Sequence, residues 1–211
     1  MNSFNGFPEA ALDFYDDLEM DNTKSFWEAH KAIYTESVKA PMTALTEALG
    51  PEFGTPKVFR PFRDVRFAKD KTPYKTHQGA FIASGPRCGW YVEVSARGVR
   101  TSGGFYDADA SDLARIRTSI DLEETGKQLQ RILAKLERAG FEIGGEKLKT
   151  TPRGYDADHP RIELLRHKSL SVSRLYGFDK VIHSPELVAP VRKDWRAMKP
   201  LIEWVSERLG D

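Results

Sequence analysis

The spacing of apolar residues changes several times along the chain. Leu12, Tyr15 and Leu18 recur at helical intervals after Pro8, which stands where a first helical residue belongs. This predicts a helix ending near Asp21 and Asn22, with Asn22 as the cap of a second helix. The second helix is expected to bury Phe26, Trp27, His30, Ile33 and Tyr34. It should break or kink at Pro41, resume through Met42, Leu45 and Leu49, and stop at Gly50-Pro51.

The period then falls to two. Ala80 and Ile82 share one face of a strand. Trp90, Val92 and Val94 share a face of the next, with Tyr91 and Glu93 opposite. Arg97-Gly98 makes a turn, Val99 to Ser102 returns, and Gly103-Gly104 ends the run, which reads as a three-stranded antiparallel meander. Ser111 or Asp109 caps a helix carrying Leu113, Ile116 and Ile120. Asp121 with Glu124 forms a capping box for a helix with Leu129, Ile132, Leu133 and Leu136, ended by Gly140. Residues 141–150 suggest a small hairpin, Pro160 a short helix through Leu164-Leu165, and Ser169 to Leu175 a strand. Ser184-Pro185-Glu186 starts a helical segment that runs to the end, restarted or bent at Pro190 and Pro200. The fold class is therefore α+β. An antiparallel sheet, a meander plus additional strands, packs against several helices with a long C-terminal helical segment, and residues 1–211 form a single domain.

Composition narrows the function classes. Apolar residues at 40% and charged residues at 30% describe a globular chain. The net charge of +1 gives no global basic field, which argues against a nucleic-acid partner. Cys88 is the single cysteine, so no intrachain disulfide forms, and a reducing compartment fits. No signal peptide and no membrane-spanning stretch are read, and a cytoplasmic location is expected. The Gly-rich dinucleotide fingerprint, the P-loop and the Gly-x-Ser-x-Gly elbow are absent from the sequence. No cofactor and no metal are assigned.

Residues 57–77 stand apart from this balance. Lys57, Arg60, Arg63, Arg66, Lys69, Lys71 and Lys75 face only Asp64 and Asp70, a local charge of +5 in a chain of +1. Pro61 and Pro73 push Arg60 and Thr72 toward extended backbone. If Val58 to Ala68 is extended, Val58, Arg60, Phe62, Asp64 and Arg66 share one face. Phe59, Pro61, Arg63, Val65 and Phe67 share the other. Arg63 then lies among apolar neighbours and needs a partner from outside its own strand, because an unpaired buried charge is very costly. Arg60, Asp64 and Arg66 make an Arg-Asp-Arg ladder. Arginines supply planar forks and lysines point charges, and such a group grips phosphate or carboxylate. A salt-bridge network that only braces the sheet is the competing reading.

Motifs along the chain carry a resemblance. Phe4-Asn5-Gly6-Phe7, Asn22 with Phe26-Trp27 and His30-Lys31, Arg63-Asp64-Val65-Arg66-Phe67 with Lys69-Asp70-Lys71-Thr72-Pro73-Tyr74-Lys75, Gly103-Gly104, and Leu148-Lys149 with Pro152-Arg153-Gly154-Tyr155 follow one another in this order. Together they resemble a bacterial and fungal family known as domain of unknown function 2461. The resemblance spans nearly the whole chain. Phe26-Trp27 departs from the family's usual Trp-Phe order and leaves the charged motif intact. The resemblance supports the domain boundary and implies no particular activity.

Other groups carry candidate chemistry. Arg153 could join the basic cluster. Asp156, Asp158 and His159 could bind a metal, but turn chemistry before a helix is the favoured reading, since no His-x-x-x-His or Cys-x-x-Cys spacing supports a metal. Asp64, Asp70, Tyr74 and His77 are candidate acids or bases. Phe59, Phe62, Phe67 and Tyr74 could stack on bases, or face a core. Three functions remain open. The first is a binding module for a small anionic ligand held by Arg60, Arg63, Arg66, Lys69, Lys71, Lys75 and Arg153. The second is an enzyme acting on a phosphorylated or carboxylated metabolite through the same cluster. The third is an interaction protein whose cluster is architectural.

Overall fold

The computed structural model describes residues 3–66 and 69–209. Helices α1 (Glu9–Met20), α2 (Lys24–Ile33) and α3 (Ala40–Phe53) precede strands β1 (Pro56–Val58), β2 (His77–Gly85), β3 (Cys88–Ser95) and β4 (Gly98–Phe105). Next come α4 (Ala110–Asp121), α5 (Glu123–Arg138), β5 (Glu142–Gly144), α6 (Ile162–Leu165), β6 (Leu170–Gly177) and α7 (Val188–Leu209). Among the described residues six strands form one antiparallel sheet in the order β1-β2-β3-β4-β6-β5, so the fold is α+β with a long C-terminal helix. Among the described residues no helix is long and apolar enough to cross a membrane. The chain divides into two compact units. One comprises Met1–Ile82, Tyr91–Thr101 and Leu175–Lys193, the other Ala83–Trp90, Ser102–Arg174 and Asp194–Asp211.

In the first unit, α1 buries Leu12, Tyr15 and Leu18 as their spacing requires. Thr23, not Asn22, caps α2, its hydroxyl accepting the Phe26 N–H at 3.3 Å. Trp27 and Tyr34, seven residues apart, define the buried side of this helical stretch, with Phe26 and His30 at its margin. Ile33, expected inside, is turned 120° from Trp27 about the far flank, counting ~100° per residue, and is exposed. The helix does not break at Pro41. It passes through a π-helical segment, Tyr34–Lys39, into α3. In an α-turn the Pro41 ring would meet the Ser37 carbonyl, and the wider π-turn just before it relieves that clash. Nor does Gly50-Pro51 end α3, which continues to Phe53. Gly54, at φ 116°, closes it with an N–H bond to the Gly50 carbonyl.

The expected alternation holds on the sheet. Gln78, Ala80 and Ile82 of β2 are buried, as are Val92 and Val94 of β3. β1 pairs with β2 from Pro56↔Ile82 to Val58↔Ala80. The turn from β3 into β4 ends on Gly98 at φ 93°, where a Cβ would fall on the Gly177 carbonyl oxygen.

In the second unit β4 does not end at Gly103-Gly104 but runs to Phe105. The bare glycines let Met198 and the Leu170 backbone lie against the strand. Asp109 caps α4 in a full capping box with Asp112. The box expected from Asp121 and Glu124 does not form, because Asp121 is the last residue of α4. Buried Arg161 takes over this junction. It donates to the Ile120 and Asp121 carbonyls at 2.7 Å each and to Glu123 at 3.0 Å. The small hairpin expected at 141–150 is also absent. β5 pairs with β6 from Glu142↔Ser173 to Gly144↔Ser171, and Lys147 makes one isolated bridge to His167. A lone two-stranded hairpin is marginal in water, and β6 offers a ready edge. Pro185–Leu187 forms a 3₁₀ turn that leads into α7. Pro190 falls in the first turn of α7, where a missing donor is harmless.

Gly98→Ala should lower stability by about 2–3 kcal/mol, from strain at positive φ and the clash with the Gly177 carbonyl. Urea unfolding measures this as a lower midpoint at unchanged slope.

Candidate functional site

The basic run does not form the long extended strand anticipated from 58 to 68. β1 ends at Val58, and the chain then folds back on itself. Phe62 faces Tyr74 in an isolated antiparallel bridge. The Arg63 N–H donates to the Pro73 carbonyl at 2.9 Å, and the Lys75 N–H to the Pro61 carbonyl at 2.8 Å. Both prolines act as acceptors and neither can donate, so the ladder stops after one bridge. The Asp64 carboxylate also takes the Arg66 N–H, drawing the chain into a local turn. Phe67 and Ala68 lie outside the described residues.

This fold-back is held from α1–α2. Asn22 stands between the helices, and its Nδ2 donates to the Tyr74 carbonyl while its Oδ1 accepts the Tyr74 N–H, both at 3.0 Å. The Tyr74 ring stacks on Trp27 at 4.3 Å with 8° between the planes. Tyr74 is thereby a buried anchor, and burial raises its phenol pKa. Phe62, placed by sequence beside the cluster, is half exposed and tilts over Trp27 at 5.9 Å.

The fold-back decides how the charges pair. Arg63 reaches across it to Asp70 and to the Thr72 hydroxyl, so the partner it required comes from seven residues on. Asp70 also accepts the Thr72 N–H at 2.9 Å and hydroxyl at 2.8 Å. These two Thr72 bonds, with Arg63 adding to them, lower the Asp70 pKa to about 2. Arg66 grips Asp64 through one edge of its guanidinium, Nε to Oδ1 at 2.9 Å and Nη2 to Oδ2 at 2.6 Å, which holds that carboxyl below its ordinary range. Of the expected ladder, Arg60 contributes only a longer-range field at Asp64. Lys71 bonds the Val65 carbonyl at 2.8 Å, and Lys69 is exposed. Among the described residues no carboxylate pairs with Lys57, Arg60 or Lys75. The Lys57 and Lys75 ammonium groups lie 5.8 and 5.3 Å from the Phe59 ring. Partial burial, with Arg60 nearby, lowers the Lys75 pKa.

The sheet adds groups that sequence reasoning did not assign to the site. The Glu93 carboxylate accepts the Tyr91 hydroxyl at 2.6 Å and the Arg100 guanidinium at 2.9 and 3.0 Å. His77 Nε2 lies 4.0 Å from the same carboxylate. Gly79 makes room for this arrangement, since a Cβ there would strike the Tyr91 ring. The His77 pKa is lowered, first by burial and then by Lys75, Arg100 and Arg63, with Glu93 opposing. Burial, reinforced by Glu93, raises the Tyr91 pKa. Strand alternation had set Tyr91 and Glu93 opposite the core face. The cross-strand register that brings His77 and Arg100 beside them is not visible in a single sequence.

Arg153 is exposed in a loop of the second unit. His159 receives the Arg161 N–H on Nδ1 at 3.0 Å and faces Asp121 through Nε2 at 3.1 Å, so it organises the junction between α4 and α5. Buried Asp112 holds Arg87 and Arg115, both at 2.7 Å, and buried Asp194 holds Arg174 at 2.7 Å.

The fold and site define an α+β protein with a clamped, cation-rich fold-back beside a sheet. The family described as conserved hypothetical protein (DUF2461) matches residues 10–204, and the chain belongs to it. A search of curated proteins gave no match.

Asn22→Ala removes both bonds to the Tyr74 backbone and should destabilise the protein by about 1–3 kcal/mol, with amide exchange at Tyr74 and Lys75 rising more than elsewhere. The depressed Asp70 pKa makes its clamp a contribution that is present above the unfolded carboxylate range and lost as pH falls through about 2. A carbon-detected NMR titration should show that low midpoint, moving upward in Thr72→Val.

Proposed function

We propose that this protein is a binding module for a small ligand bearing phosphate or carboxylate. Arg60 and Lys75 are its principal cations, and Lys57 also stands by the Phe59 ring. The observation that carries this reading is an imbalance. Both acids of the run are engaged by Arg63 and Arg66, which leaves Arg60 and a partly buried Lys75 near each other without a carboxylate. Like charges held together by a fold are destabilising unless an anion joins them. An arginine fork beside a lysine point charge suits a phosphate or carboxylate oxygen cluster.

An enzyme acting on a phosphorylated or carboxylated metabolite is the second reading. His77 beside a fixed Glu93 favours it, as a neutral imidazole next to an anion site is poised to accept a proton. A cytoplasmic location belongs to the same proposal, on the strength of the single buried cysteine.

Thermal unfolding in the presence of phosphate, phosphosugars, nucleotides and carboxylates tests the proposal. A ligand at 100 times its dissociation constant should stabilise the protein by about 2.7 kcal/mol. The gain should vanish in the folded double variant Arg60→Ala, Lys75→Ala and persist in Lys127→Ala, an exposed cation paired with Glu123 on α5. No stabilisation by any of these compounds would overturn the binding reading in favour of an architectural one.

A further inference from the structure

Four charged groups act on His77. Lys75 precedes it on the way into β2, Arg63 comes from the fold-back, and Glu93 and Arg100 come from β3 and β4. Two of the three cations are already matched: Arg63 by Asp70, and Arg100 by Glu93. Among the described residues Lys75 has no such partner, and neither has Arg60 beside it. The matched pairs cancel, and Lys57, Arg60 and Lys75 are left without a carboxylate among the described residues. A dianion answers more of that excess than a planar monoanion does.

The same balance governs the imidazole. Glu93, 4.0 Å away, favours a proton on the ring. Its pull is shared with the Tyr91 hydroxyl and the Arg100 guanidinium, which already hold the carboxylate. Lys75 opposes the proton, and an anion seated on Lys75 cancels that opposition. The ring can then add an N–H donor toward an oxygen of the ligand.

Building on the anion-site reading, we infer that His77 is a ligand-binding residue in its imidazolium form, that the ligand carries a tetrahedral dianionic group such as a phosphate ester, and that binding draws one proton onto His77. The sign of the linkage follows. The bound state holds the His77 proton more tightly than the free state. The added affinity is therefore full below the free-state pKa of His77 and is lost as pH rises through its bound-state pKa.

Sulfate is the informative probe, because it remains a dianion throughout and isolates the protein's own titration. Calorimetry between about pH 5.5 and 8.5, at constant ionic strength, should show sulfate affinity falling as pH rises, by no more than about tenfold per unit, the limit for one proton. Buffers of different ionisation heat should report uptake of up to one proton, and the His77 ring signals in NMR should titrate at higher pH with sulfate than without it. Acetate should bind more weakly than sulfate. The pH dependence should disappear in His77→Gln, and the NMR titration of the unaltered protein carries the test if that variant does not fold. Inorganic phosphate against glycerol phosphate separates the two sources of the group. Tighter binding of the ester assigns a phosphorylated metabolite, and equal binding assigns the free oxyanion. Sulfate binding that is lost in Arg60→Ala, Lys75→Ala yet flat with pH, or acetate binding as tight as sulfate, overturns this inference and leaves the anion site standing. Sulfate binding that is absent, or indifferent to Arg60 and Lys75, removes the anion site itself and the inference with it.

Discussion

Two carboxylates serve seven cations between residues 57 and 77, and the geometry of the fold-back decides which cations they reach. Asp64 is within a turn of Arg66, and Asp70 lies across the fold-back from Arg63. Each acid has taken the arginine its backbone position offers, and each also accepts backbone N–H bonds that fix its orientation. These acids are well exposed, so the pairs add little to global stability. Their effect is on place and charge. They shape the loop, and they leave the positive excess on Lys57, Arg60, Lys69, Lys71 and Lys75, of which Lys75 is the half-buried one.

The second unit shows the opposite treatment of charge. Arg161 is buried, and its guanidinium is satisfied by two carbonyls and a carboxylate at the junction of α4 and α5. Asp112 and Asp194 are buried and each holds an arginine. Buried ions tolerate their loss of hydration only when partners replace the water, and each nitrogen of the Arg161 guanidinium has one. The contrast sharpens the meaning of the first unit. In the first unit, exposed Arg60 and half-buried Lys75 stand without an acid among the described residues, beside a histidine and a fixed glutamate.

The site also depends on parts with no charge. Asn22 holds the backbone of Tyr74, Trp27 holds its ring, and Gly79 yields the space that Tyr91 needs to reach Glu93. Residues 22, 74 and 79 are distant in sequence from residue 93. Together they set the distances among Lys75, His77 and Glu93.

The periodic apolar pattern sufficed for the α+β class, the helix of Leu12, Tyr15 and Leu18, the alternation of Trp90, Val92 and Val94, and the cap at Asp109, because each rests on neighbours a few residues apart. The concentration of cations at 57–77 was equally legible, since charge is written directly in composition. Where the expectation failed, a long-range contact had overruled a local signal. Asn22 had a cap residue's chemistry but was claimed by Tyr74, 52 positions away. Asp121 and Glu124 had the spacing of a box, but Arg161 closed that junction first. The run from 58 to 68 had strand-like alternation, but prolines at 61 and 73 allowed only one bridge. The joining of His77, Tyr91, Glu93 and Arg100 was decided by the tertiary structure alone. Strand alternation tells which face a side chain takes, and only the pairing register tells which side chain stands beside it.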